Sequence, residues 1–163
     1  MGIELFRIDD RLIHGQVVVG WGRPLNVGFI ALVDDEVADS DWEQELYRMG
    51  VPPEIEVYFA TVQAAAGALE RWRADPRPGI VLTGDVDTMR RLIDAALGIA
   101  AVNLGGVHHR ADRVQRLRYV YLSSEEERTL RALAARGIRI TAQDVPAARP
   151  VPLEDVLVMR GES

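Results

Sequence analysis

Short apolar runs alternate with stretches of helical spacing along almost the whole chain, and this alternation narrows the possible folds more than any other feature. "IELFRI" (3–8), "NVGFIALVDD" (26–35), "EIEVYFA" (54–60), "GIVLTG" (79–84), "IAAVNLGG" (99–106), "RLRYVYLS" (116–123) and "IRITAQDV" (138–145) read as seven strands. The nearly continuous apolar character of 26–35 is that of a strand buried on both faces. Between the strands, 15–22, 37–50, 61–75, 85–98 and 123–137 read as five helices. Asp39 or Ser40, Thr61 and Asp85 stand where N-caps belong, "SSEEER" has a capping-box-like start, and Gly50 before two prolines is a stop. The pattern predicts an α/β fold: one layered domain over 1–163, with a mostly parallel sheet of about seven strands and helices on both faces. The proline-containing tail after 145 is assigned no element.

A formal net charge of −6 argues against nucleic-acid binding through a broad basic surface, though not against a small cationic pocket. The absence of cysteine removes thiolate chemistry and disulfides, and fits a reducing compartment. "MGIELFRIDD" has no basic region followed by a long apolar run, and no stretch approaches the ~20 apolar residues of a membrane span. The expectation is a soluble, cytoplasmic protein.

Working residues in such folds sit on loops beyond the carboxyl ends of the strands, near a topological switch point. "FRIDDRLIHGQVVVGWG" (6–22) occupies such a loop, with two arginines, two aspartates and a histidine packed between a strand and a helix. At a helix start, unpaired backbone N–H groups favour an anion beside His14, and Gly15 lets a ligand approach closely. Arg7 and Arg11 offer guanidinium forks suited to phosphate oxygens. Asp9 or Asp10 has the chemistry to hold an imidazole N–H and fix its tautomer. Together these are the parts needed to carry a phosphoryl group on a histidine nitrogen. The competing description is a surface turn laced with Arg–Asp pairs.

Asp34, Asp35 and Glu36, joined with Asp9 and Asp10, would form a magnesium site only if the fold gathered them. The simpler expectation is that they end a strand and open a helix, with Asp34 or Asp35 at most a secondary loop contact. No metal and no organic cofactor is expected. In "NLGGVHH" (103–109), Gly105 and Gly106 have backbone suited to lining an anion pocket, while His108 and His109 read as an exposed polar loop.

The segments "RIDDRLIHGQV…W", "VDDEVA" (33–38), "MGVPP" (49–53), "NLGGVH" (103–108) and "RGIRITAQDVP" (136–146) occur in order over nearly the whole chain. In this they resemble the IIB component of the mannose/fructose/sorbose class of the bacterial phosphoenolpyruvate-dependent sugar phosphotransferase system (PTS). The resemblance implies that His14 accepts a phosphoryl group on Nδ1 from a phosphohistidine of a IIA component. It implies transfer onward to a sugar carried by membrane IIC and IID components, with the chain held at the inner face of the membrane by those partners. Arg7, Asp9, Asp10, Arg11, Gly15 and Gln16 are then the residues that bind or orient the phosphoryl group. The chain departs from the family pattern at Val107, at His109 and at Gly22–Arg23, which bears on partner choice. No IIA-like segment is visible, so the donor is expected to be another chain. Two other readings share these residues: a regulatory phosphohistidine protein that makes no sugar phosphate, and a metal-dependent phosphohydrolase using Asp9, Asp10, Asp34 and His14. The identity of the sugar and the oligomeric state are open at this level.

Overall fold

The computed structural model describes residues 2–161. Along the chain, β1 (Gly2–Ile8) leads into a π-helix (Gln16–Trp21) continued by α1 (Gly22–Leu25). Then come β2 (Phe29–Val33), α2 (Asp35–Ala38), α3 (Asp41–Met49), β3 (Glu56–Ala60), α4 (Val62–Arg73), β4 (Pro78–Thr83), α5 (Val86–Ala95) and β5 (Ala101–Leu104). The chain ends with β6 (Val114–Leu117), β7 (Val120–Leu122), α6 (Ser124–Ala135), β8 (Arg139–Ala142), β9 (Val151–Pro152) and α7 (Leu153–Val156).

The main sheet has seven strands in the order β3-β2-β4-β1-β5-β8-β9. All its pairings are parallel except that of β9, which lies antiparallel against β8. The expected α/β architecture with a mostly parallel sheet is therefore present, but its membership differs from the sequence reading in one strand. The run 116–123 does not enter the sheet: it splits into β6 and β7, which pair with each other, antiparallel, and touch the segment after β5 through a single parallel bridge between Val120 and Val107. Its pattern explains this. Leu117, Val120 and Leu122 are buried while Arg116, Arg118 and Tyr121 alternate with them, so the ribbon has one apolar face, whereas a central parallel strand needs two. The vacancy is filled by β9 from the proline-containing tail, where Pro152 is tolerated because the strand lies at the edge.

Two helices also differ from expectation. The stretch 37–50 breaks at Asp39–Ser40, and Ser40 caps α3 by accepting the N–H of Glu43. The helix after β1 is a π-helix, whose Gly22 N–H reaches back five residues to the Val17 carbonyl; at its entry the His14 carbonyl accepts both the Val17 and Val18 N–H groups, at 3.0 and 2.9 Å. Side-chain periodicity does not encode this extra backbone residue per turn. Thr61, Asp85 and Ser123 cap α4, α5 and α6 as their positions indicate, with Glu126 completing the capping box of α6.

Each sheet face buries its own core. On one side, Ile30, Leu32, Ile80 and Leu82 pack against Ile13, Val17, Val18, Trp21 and Val37 of the elements that follow β1 and β2. On the other, Ala31, Val81, Ile8 and Leu104 pack beneath α4, α5 and α6. Neighbouring strands β1 and β4 thus send their connections to opposite faces, which opens a crevice at their carboxyl ends. The Ile8–His14 turn lies in that crevice, tied by Asp9 N–H to the Thr83 carbonyl and by Gly105 N–H to the Ile8 carbonyl.

The α6 cap also anchors the loop beside this turn, since the Arg113 guanidinium donates to Glu126 and to the His108 carbonyl. Ser123→Ala should cost about 1 kcal/mol, seen as a fall of roughly 2–4 °C in Tm by calorimetry.

Candidate functional site

Strand alternation sends Ile8 to one core and Arg7 to the opposite face of the sheet, where Arg7 is completely buried. Its Nη1 donates to Asn103 Oδ1 and to the Gln143 carbonyl, and its Nη2 donates to Asp9 Oδ2 and to the Asp144 carbonyl at 3.1 Å. The Trp21 ring lies 4.9 Å from the guanidinium carbon, a cation–π contact, and Trp21 Nε1 donates to the same Asp144 carbonyl. Burial lowers the Arg7 pKa from its ordinary value, while Asp9 acts to preserve the charge. Arg7 therefore does not reach outward to a phosphoryl group. Of the two roles expected for it, binding and orienting, only the second matches where it stands.

Asp9, also fully buried, is the hub. Its Oδ1 accepts from Arg11 N and Nε, and its Oδ2 from Arg7 Nη2 and Arg11 Nη2, all at 3.2 Å. His14 Nε2 stands 3.3 Å from Oδ2, within ion-pair distance, yet it has no aligned hydrogen-bond partner among the described residues. Burial alone would raise the Asp9 carboxyl, but His14, Arg11 and Arg7 outweigh it and hold it far below the usual carboxylate range. On the opposite side of the ring, the Gln16 backbone N–H donates to His14 Nδ1 at 3.2 Å. The Gln16 side chain accepts from Arg11 Nη2 at 2.9 Å. These bonds occupy Arg11 Nε and Nη2 and leave Nη1 without a hydrogen-bond partner among the described residues. The turn itself is strained: Leu12, two residues before the histidine, has φ +61°, a left-handed conformation that costs a β-carbon-bearing residue about 1–2 kcal/mol.

Of the two aspartates, Asp9 faces His14. Asp10 faces His108, accepting its backbone N–H at 2.7 Å and lying 2.5 Å from its Nδ1. The loop glycines arrive at the site in a different capacity from the one expected. A Cβ on Gly105 would stand 2.3 Å from Arg7 Nη2, so its bare α-carbon makes room for the buried guanidinium. The Gly106 carbonyl accepts the Asp10 N–H. Gly15 is helical, with open space where a Cβ would stand. Asp34 caps α2, and Asp35 accepts from the Val62 N–H and from Arg91, so both are engaged two strands away from β1. Among the described residues no three His, Asp or Glu side chains gather as a metal site would require. Asn103, Gln143, Asp144 and Trp21 were not among the residues assigned to the site from sequence. Asn103 alone carries a local signal, a polar residue inside an otherwise apolar strand.

The arrangement is a ring held between a buried anion and a backbone N–H, with a guanidinium alongside. Residues 3–163 match the family model described as PTS system sorbose subfamily IIB component. The chain belongs to this family of PTS IIB components. It is 31% identical over 157 residues to the N-acetylgalactosamine-specific phosphotransferase enzyme IIB component 1 of Escherichia coli (strain K12), covering 94% of this chain and 97% of that one. It is 30% identical over 158 residues to the mannose-specific EIIAB component of the same strain, covering 96% of this chain but only 49% of that longer one. The solved IIBSor domain of the sorbose permease from Klebsiella pneumoniae superposes with a TM-score of 0.86 at 26% identity, covering 96% of each chain. Among the described residues no helix of this IIB chain is long and apolar enough to cross a membrane.

The pH dependence of the hub follows from its sign. The folded-state Asp9 value lies below that of the unfolded chain, near ~3.9. Its stabilisation is therefore complete above that pH and is lost as the pH falls toward the folded value. Circular dichroism between roughly pH 5 and 2 should show steeper acid unfolding for the native chain than for Asp9→Asn. At neutral pH the variant should be less stable by about 3–5 kcal/mol, because Arg7 stays buried without its counter-charge.

Proposed function

We propose that His14 is the phosphocarrier of this IIB component. It accepts a phosphoryl group on Nδ1 from a phosphohistidine of a IIA component and passes it to a sugar hydroxyl presented by membrane IIC and IID components. The observation that carries this reading is the contrast between the two ring nitrogens. An N–H donated to Nδ1 requires a lone pair there, and the buried Asp9 anion beside Nε2 favours the ring proton on that nitrogen. This is the tautomer in which Nδ1 is the nucleophile.

In the first half-reaction the Nδ1 lone pair attacks phosphorus, the donor's N–P bond breaks, and its electron pair returns to the donor ring. The developing positive charge on the His14 ring is met by Asp9 across Nε2–H. As Nδ1 bonds to phosphorus it releases the Gln16 N–H, which then lies beside the new phosphoryl oxygens together with the open Nη1 of Arg11. Positioning and fixed charge are the usual resources for phosphoryl transfer, and no metal is invoked for them here. The names of the relatives support the class of acceptor, because they are specific for N-acetylgalactosamine, mannose and sorbose. We take the residues 1–163 to act as one IIB domain that works at the inner face of the membrane while bound to its partners.

Incubation with phosphoenolpyruvate, the general carriers and a IIA component, followed by mapping of acid-labile phosphate, should label His14. His14→Ala should abolish labelling and His109→Ala should retain it. Full labelling of His14→Ala would overturn the assignment.

Arg11→Lys should slow transfer by about tenfold or more while leaving the thermal transition within a few degrees of native, since lysine cannot span both oxygens of Asp9 and still face the phosphoryl group. Stopped-flow transfer rates together with calorimetry check both halves of this expectation.

A further inference from the structure

His108 reads from sequence as part of an exposed polar loop, and the structure gives it a built environment instead. Its backbone N–H and its Nδ1 both meet the Asp10 carboxylate, at 2.7 and 2.5 Å. Its carbonyl accepts from Arg113 at 2.8 Å, and Arg113 is itself clamped to Glu126 at the start of α6. Asp10 is fixed in turn by its N–H on the Gly106 carbonyl. The next residue, His109, is turned away onto the edge of Tyr121. So the His108 ring is held in one orientation although it is half exposed, with 53% of its side chain open.

Its place is beside the Arg11–Asp9 pair that faces His14. His108 Cε1, Arg11 Nη2 and Asp9 Oδ1 converge on Gly106, at 3.1, 3.2 and 3.2 Å from where a Cβ would stand. This second imidazole therefore shares Gly106 as a neighbour with the Arg11–Asp9 pair that faces His14. The groups facing it are Asp10 from the turn after β1, Arg11 across Gly106, and Arg113 through the backbone. Asp10 is an acceptor, so the proton of the ring belongs on Nδ1, and Nε2 is left with a lone pair on a side chain that is half exposed. An acid–imidazole pair of this kind, its free nitrogen exposed at the mouth of a transfer site, is the equipment of a general base.

The two half-reactions differ in their need for one. Transfer from a phosphohistidine to His14 exchanges one N–P bond for another and releases no proton. Transfer to a sugar forms an O–P bond, and the hydroxyl proton must leave. We infer that His108, oriented by Asp10, is the base that takes the proton of the acceptor hydroxyl when phospho-His14 discharges. In that step the sugar oxygen bonds to phosphorus and the Nδ1–P bond breaks, returning its electron pair to His14. The hydroxyl proton moves to His108 Nε2, where the resulting imidazolium rests against the Asp10 carboxylate until water removes the proton. The inference rests on the carrier reading of His14 and adds to it the residue that completes the second half-reaction.

The test separates the two steps. Native chain and His108→Gln are each loaded from phosphoenolpyruvate, the general carriers and IIA. They are then mixed with membrane vesicles carrying IIC and IID and with N-acetylgalactosamine, mannose or sorbose. Loading of His108→Gln should stay within about twofold of native, while discharge to the sugar should fall by about 100-fold or more. Asp10→Asn, which keeps an acceptor for the backbone N–H but loses the anion, should load normally and discharge at an intermediate rate. Native discharge by His108→Gln would overturn the base. So would equal slowing of both steps, which would mean that the ring serves only to shape the loop. A native chain that fails to load, or loads and passes phosphate to no sugar, would overturn the carrier reading and the base with it.

Discussion

The buried pair of Arg7 and Asp9 is the interaction on which the rest of the site depends. Two full charges at zero exposure would be costly in an apolar setting, and here the cost is offset by their mutual contact and by the hydrogen bonds of Arg7 Nη1 and Nη2, while Arg7 Nε is left without a partner among the described residues. Arg7 binds Asn103 on β5 and two backbone carbonyls that follow β8, while Asp9 receives both arginines. One ion pair thus gathers the carboxyl ends of three strands at a single point. Because Asp9 cannot shift without uncovering Arg7, it is a fixed anion rather than an adaptable surface carboxylate. An imidazole beside such an anion keeps its proton on the facing nitrogen, which here is Nε2 of His14.

Exposure changes steeply across a few residues. Asp9 is sealed, His14 is 18% exposed and Arg11 is 35% exposed. A group that must meet a donor protein and then an acceptor benefits from this gradient, with rigidity beneath and access above. The same turn contains the left-handed Leu12 and leads directly into the π-helix Gln16–Trp21, two departures from regular backbone within a few residues. Ile13, Val17, Val18 and Trp21, all buried against β2 and β4, supply the packing that sustains them.

Much of the fold was legible along the chain. The strand 29–33 announced itself as an uninterrupted apolar run, and the caps at Thr61, Asp85 and Ser123 were readable because a cap and its N–H lie three residues apart. The run 116–123 and the tail 151–157 were not legible in the same way. Each contributes only short strands, and whether a short strand joins a sheet depends on which edge is left unpaired once the other strands have assembled. In the site, the chemistry of the 7–16 segment was apparent from its residue types, whereas the roles of its members were not. Arg7 and Arg11 have the same side chain and differ only in that strand alternation buries the first. Asp9 and Asp10 are adjacent, and successive side chains diverge so that one faces His14 and the other His108.

The sequence by itself determined most of the strands of the parallel sheet, the caps that open α4, α5 and α6, and that charge and a histidine would be concentrated at the mouth of the first strand. Those outcomes depend on side-chain type and on neighbours within one turn or one pleat. Only the tertiary structure decided that Asn103, Gln143 and Asp144 would enclose Arg7, that Gly105 would be needed to admit it, and that His108 would stand beside Arg11 and Asp9. Those outcomes depend on the register of β1 against β4 and β5, and that register is set by two cores packing on opposite faces of one sheet.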